Sequence, residues 1–183
     1  MTVKIKSTAV EINFWFAAVL TFLLLFFPNG NAAMCFFFCV LHEIGHLSAM
    51  LIFKSIPKQI CFGFFGMKIV TDEKLLSSLK EIIIAASGPL INLTLAAIMY
   101  VLKYNEAALL NLGLGIFNIL PVPALDGGHI ILSATKNEKA VRIIGFICCF
   151  LLLVLGIAVA VGTRRNFTLL TVSIYLLIGC ITG

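Results

Sequence analysis

The stretch Leu41-His42-Glu43-Ile44-Gly45-His46-Leu47 lies inside an apolar run covering residues 32–53. It reads H-E-x-x-H. On a helix, residues four apart stand one above the other on the same face. The imidazoles of His42 and His46 therefore come together as two metal ligands, with Glu43 beside them as a general base. The competing reading is two core histidines next to a buried acid. In a segment of membrane length that reading is expensive, because ionisable groups within a span are rare and usually functional.

Composition shows what kind of chain carries the motif. Of 183 residues, 61% are hydrophobic and 11% charged, and the mean hydropathy is +1.13. Soluble domains carry about a quarter charged residues. The sequence therefore reads as an all-α polytopic membrane protein, a single domain over residues 1–183, with a short membrane-associated β-hairpin. The net charge of +5 does not point to nucleic acid, because the basic residues sit in loops between apolar runs. Six cysteines are present, and all but Cys61 fall in apolar runs, so they do not form a disulfide framework. Lys4 and Lys6 followed by an apolar run and Asn31-Ala32-Ala33 have the composition of a signal peptide. That run is long for such a segment and leads straight into another apolar run, so it reads as a first span.

Six spans are expected, at about 12–27, 32–53, about 82–102, about 107–120, 141–161 and 167–181. The first, fourth and sixth are shorter than the roughly 20 residues of a perpendicular span. The N-terminus and the loops at 54–81 and 133–142 then share one side and hold ten basic residues. The other side holds three, Lys103, Arg164 and Arg165. This bias places both termini in the cytosol.

Residues 56–71 mix Ile60, Phe62, Met67, Ile69 and Val70 with Gly63 and Gly66, which predicts a hairpin. Its edges cannot face lipid tails, so it lies against protein or a water-lined cavity. Residues 72–81 alternate leucines with Lys74, Ser77, Ser78 and Lys80. They read as an interfacial helical turn capped by Thr71 or Asp72.

A catalytic zinc takes three protein ligands and keeps one position open. Asp126, in Asn118-Ile119-Leu120-Pro121-Val122-Pro123-Ala124-Leu125-Asp126-Gly127-Gly128-His129, is the best third ligand. The prolines break helix geometry and the glycines let backbones approach closely. Irregular backbone at membrane depth is tolerated only where it lines a cavity or is buried in protein. Zn²⁺ with two carboxylates, Asp126 and Glu43, is formally neutral, which lowers the cost of burial. His129, three residues after Asp126, is open to three readings: a partner behind a ligand, a substitute ligand or a polar group near the interface. A non-ligand role is favoured, since His42, His46 and Asp126 already fill the set. Cys35 and Cys39 share the face of His42 and His46, but four protein ligands would close the site, so they are read as packing. In the third span, Ser87-Gly88-Pro89-Leu90-Ile91-Asn92-Leu93 predicts a kink and a close helix approach. Asn92 is open to two readings: a donor to a carbonyl or developing oxyanion, or an interhelical hydrogen bond that only packs.

Together, His42-Glu43-Ile44-Gly45-His46, Ser87-Gly88-Pro89-Leu90-Ile91-Asn92 and Asn118 through Leu125-Asp126-Gly127-Gly128 resemble the site-2 protease family, in its compact bacterial branch. These are intramembrane zinc metalloproteases. The motifs occur in the family's order, within a catalytic core of about residues 32–130. The resemblance implies that His42, His46 and Asp126 bind one Zn²⁺ and that Glu43 activates water. It also implies that Asn92 assists near the scissile carbonyl, and that residues 56–71 are similar to the family's re-entrant hairpin. The expected location is a bacterial cytoplasmic membrane. The expected partners are a transmembrane protein substrate and membrane lipids, with no nucleic acid. Two departures stand out. Ala124 replaces a proline common in relatives, and the chain has no room for the PDZ or CBS domain many relatives carry. Regulation by such a domain would need another membrane subunit. The short form most resembles the sporulation branch that releases a membrane-tethered sigma factor.

Two other classes fit parts of the pattern. A metal transporter or sensor also places His and Asp within a membrane, yet transporters often carry internal repeats and none is visible. A proteolytically silent scaffold for transmembrane helices has no need of Glu43.

Overall fold

The computed structural model describes residues 2–5, 8–12, 31–55, 59–63, 66–70, 77–163 and 167–182. Four strands are present: β1 (Thr2–Ile5), β2 (Thr8–Ile12), β3 (Gln59–Gly63) and β4 (Gly66–Val70). The helices are α1 (Asn31–Ile52), α2 (Ser78–Val101), α3 (Asn105–Ile119), α4 (Asp126–Thr135), α5 (Glu138–Thr163) and α6 (Thr168–Thr182). The chain divides into two compact units, Met1–Leu114 and Gly115–Gly183.

In the first unit, α1 packs along α2. Gly45 is what lets them close. A Cβ there would come within 2.8 Å of the Ser87 carbonyl oxygen and 3.1 Å of Gly88 Cα. Small residues at a helix contact allow this backbone approach. The expected span at 32–53 is α1 almost residue for residue. The span expected at about 82–102 begins earlier, at Ser78, with Ser77 in the N-cap position. The segment read as a separate interfacial turn therefore joins α2 from Ser78 onward, while the expected caps Thr71 and Asp72 lie outside the described residues. Hydropathy marks the lipid-facing stretch, whereas helical hydrogen bonding continues through Lys80 and Glu81. Pro89 is buried inside α2, which runs unbroken from Ser78 to Val101.

The same unit holds a four-stranded sheet in the order β1-β2-β3-β4. β1 and β2 are antiparallel, β2 and β3 parallel, β3 and β4 antiparallel with Gly63 opposite Gly66. This corrects the all-α expectation, which had no strand before residue 12. Strands of four and five residues are too short to print a period-two pattern. The parallel pairing joins Ala9 to Gln59 across distant sequence, which no local pattern reports. The sheet also changes the expected edges: β3 is flanked by β2, leaving β4 and β1 at the margins. Of the span expected at 12–27, Ile12 ends β2; residues 13–30 lie outside the described residues.

Among the described residues, three helices are long and apolar enough to cross a membrane: Ala33–Ile52, Ser78–Val101 and Glu138–Thr163. Large apolar side chains such as Leu51, Ile52, Val101, Leu151 and Val161 are exposed on them, as expected of surfaces that meet lipid. α3 and α6 have 15 residues each, or ~22 Å at 1.5 Å per residue, short of a ~30 Å hydrocarbon core.

Helix ends follow a shared device. Lys54 and Lys103 have φ of 56° and 68°. At the first, Ser55 N–H donates to Met50 O and Lys54 N–H to Leu51 O. At the second, Tyr104 N–H donates to Met99 O and Lys103 N–H to Tyr100 O. These paired bonds form the Schellman arrangement, here with lysine where glycine is usual.

In the second unit, α5 lies along α6. Gly156 permits it, since a Cβ there would come 2.9 Å from Leu170 Cα. Val122, Cys149, Leu176 and Cys180 form the buried core of this unit, with Leu120 and Leu125 packed against it.

Candidate metal centre

His42 and His46 rise from the α1 face that α2 covers. Both are buried, at 6% and 7% exposed. Their Nε2 atoms are 3.1 Å apart. The rings are edge-on, at 78°. The other nitrogen of each ring meets α2. His46 Nδ1 donates to the Ile84 carbonyl at 2.7 Å. That carbonyl can only accept, so a neutral His46 ring carries its proton on Nδ1 and its lone pair on Nε2. His42 Nδ1 lies 3.3 Å from Asn92 Nδ2.

Gly88 faces the pair. A Cβ at this position would come within 2.7 Å of His42 Nε2 and closer still to His46 Nε2. The absence of a side chain on α2 keeps clear the space that both Nε2 atoms border. Asn92 is fully buried, and its Oδ1 has no hydrogen-bond partner. The Ser87 hydroxyl donates to the Ile84 carbonyl at 2.6 Å, so that oxygen accepts from both Ser87 and His46.

Asp126 stands in the second unit as the first residue of α4. Leu125, just before it, is extended, with φ −115° and ψ 164°. Gly127 and Gly128 are buried. A Cβ on Gly127 would collide with the Ile119 and Leu120 carbonyl oxygens, and one on Gly128 with the backbone of Val122. The two glycines thus let the start of α4 fold back against the Pro121–Pro123 stretch, which fixes where Asp126 begins its helix. The segment read as irregular backbone is irregular only up to Leu125.

The remaining sequence candidates separate clearly. Glu43 is half-buried on α1, next to His42. His129 is exposed, one turn beyond Asp126. Cys35 and Cys39 are free thiols and half-buried. Asn92, which the resemblance places near a scissile carbonyl, has its Nδ2 3.3 Å from His42 Nδ1. Sequence reasoning missed Gly88, Ile84 and Ser87 as parts of the site. Only the Ser-Gly-Pro run hinted at them, as a place of close helix approach.

Residues 103–155 match the model of peptidase family M50. Zinc metalloprotease RasP of Shouchella clausii (strain KSM-K16) is 38% identical over 58 residues. That match covers 26% of this chain and 14% of RasP. The fold is similar to that of the site-2 protease from Methanocaldococcus jannaschii, with a TM-score of 0.69 and 24% identity. That likeness covers 98% of this chain and 93% of the archaeal one.

The residues matched to peptidase family M50 include Asp126-Gly127-Gly128 but not the His42–His46 motif. That motif is carried by its own geometry. The residues present fit a zinc ion. Two imidazoles turn Nε2 atoms toward one point, α2 holds each ring by its other nitrogen, and Gly88 leaves room. Nitrogen and carboxylate oxygen are the donors a catalytic zinc takes.

Proposed function

We propose that this chain is a site-2 protease, a zinc metalloendopeptidase that hydrolyses a peptide bond in or near a transmembrane segment of a membrane-tethered protein. The observation that carries it is the facing pair of imidazole Nε2 atoms on α1, 3.1 Å apart. His42, His46 and Asp126 would hold the zinc, each offering one ligand atom. When bound, zinc supplies Lewis acidity to water and to the scissile carbonyl. Glu43 takes the proton of the attacking water and delivers it to the leaving amine. Burial of the histidines excludes bulk water from all but the reacting molecule.

A transmembrane helix hides its carbonyls in i to i−4 hydrogen bonds, so a substrate must unwind before it is cut. An edge strand of the sheet offers a place to hold it extended by strand addition. β4, the outer strand of the segment expected as a hairpin, is one such edge. Proline at Lys68 should then cut turnover while leaving zinc in place; unchanged turnover would reject this role. The substrate class that fits the short form is a membrane-tethered regulator such as a pro-sigma factor. The ten-to-three distribution of basic residues supports cytosolic termini in a bacterial cytoplasmic membrane. Labelling of a cysteine placed at Lys103 from the cytosolic side would refute that orientation.

Co-expression with single-span candidate substrates tests the activity. Wild type should release a shortened product, whereas Glu43→Gln should release none and still bind zinc. Equal release by both would overturn the reading.

A further inference from the structure

We infer that Asn92 is a positioning residue that sets which nitrogen of His42 carries the ring proton, and so whether His42 Nε2 can bind a metal. The inference rests on the zinc reading above.

A single chain of donors runs through the four groups. Asn92 Nδ2 donates to His42 Nδ1 at 3.3 Å. With Nδ1 accepting, the neutral His42 ring carries its proton on Nε2. That Nε2–H points at His46 Nε2, 3.1 Å away. His46 Nδ1 in turn donates to the Ile84 carbonyl at 2.7 Å. The proton between the two Nε2 atoms occupies the position a divalent ion needs. An ion there requires both Nε2 lone pairs. His46 already offers its own. For His42 to do so, its proton must move to Nδ1, and that new Nδ1–H needs an acceptor.

The acceptor is on the same amide. Asn92 Oδ1 is buried with no hydrogen-bond partner. A half-turn about the Cβ–Cγ bond exchanges Oδ1 and Nδ2, which are nearly equal in size. Oδ1 then accepts from His42 Nδ1–H. Asparagine is the residue that can serve both arrangements, since its two ends are donor and acceptor. A residue that only packed between α1 and α2 would not need to meet His42 Nδ1. One that acted only on substrate would leave metal affinity untouched.

The test is zinc affinity of the purified full chain in detergent, measured by chelator competition, with far-UV circular dichroism as the check on folding. The variants are Asn92→Leu, Asn92→Asp and His42→Ala. The wild type should bind one zinc per chain and His42→Ala should lose it. Asn92→Leu should weaken binding ~10–100-fold, the cost usual for losing the group behind a metal-binding histidine. Asn92→Asp, which can only accept, should bind at least as tightly as wild type. Wild-type affinity in Asn92→Leu, with His42→Ala abolished, would overturn the positioning role and leave the zinc site standing. No zinc bound by wild type, or full binding by His42→Ala, would overturn both. If Asn92→Leu does not fold, Asn92→Asp decides alone: tenfold weaker zinc would refute the inference.

Discussion

At the scale of single residues, Gly88 makes the most exacting demand. Its missing side chain leaves the region bordered by both Nε2 atoms open, and no rotamer change can supply that space if a methyl group fills it. Gly88→Ala should therefore bring zinc in the purified protein, read by elemental analysis, from one per chain to a small fraction, while α2 remains helical. Stoichiometric zinc in that variant would contradict the arrangement. The motif residues were legible because H-E-x-x-H encodes its own geometry: four residues make one helical turn, so His42 and His46 had to meet. Gly88 was legible only as part of a run suited to close packing, Asn92 as a polar group open to two readings, and Ile84 not at all. Which of them faces which ring nitrogen depends on the register of α2 against α1. A sequence without partners does not state that register.

At the scale of elements, the start of α4 decides where Asp126 stands. Gly127 is buried against the Ile119 and Leu120 carbonyls, too close for any Cβ. Gly127→Ala must push α4 away from that backbone or distort its first turn. The expected outcome is a fall in zinc affinity of roughly tenfold or more, comparable to losing a supporting contact, although no ligand is altered. Chelator competition would show it, and unchanged affinity would contradict the role given to Asp126. The long apolar helices were readable because twenty or more apolar residues leave few alternatives. Their ends were less so. α5 begins at Glu138, three residues before the expected span, because polar residues extend a helix beyond its lipid-facing part. The strands at 2–12 escaped because their parallel partner, β3, is about fifty residues away and short strands resemble loops.

At the scale of the whole molecule, the fold of a site-2 protease extends over nearly the entire chain, while local sequence likeness is confined to parts of it. X-ray absorption at the zinc edge on the purified chain tests the central claim most directly. The account predicts one zinc per chain in a nitrogen and oxygen shell at ~2.0–2.1 Å, with no sulfur neighbour, and loss of that zinc in Asp126→Ala. A sulfur shell at ~2.3 Å, which would implicate Cys35 or Cys39, or undiminished zinc in Asp126→Ala, would contradict it.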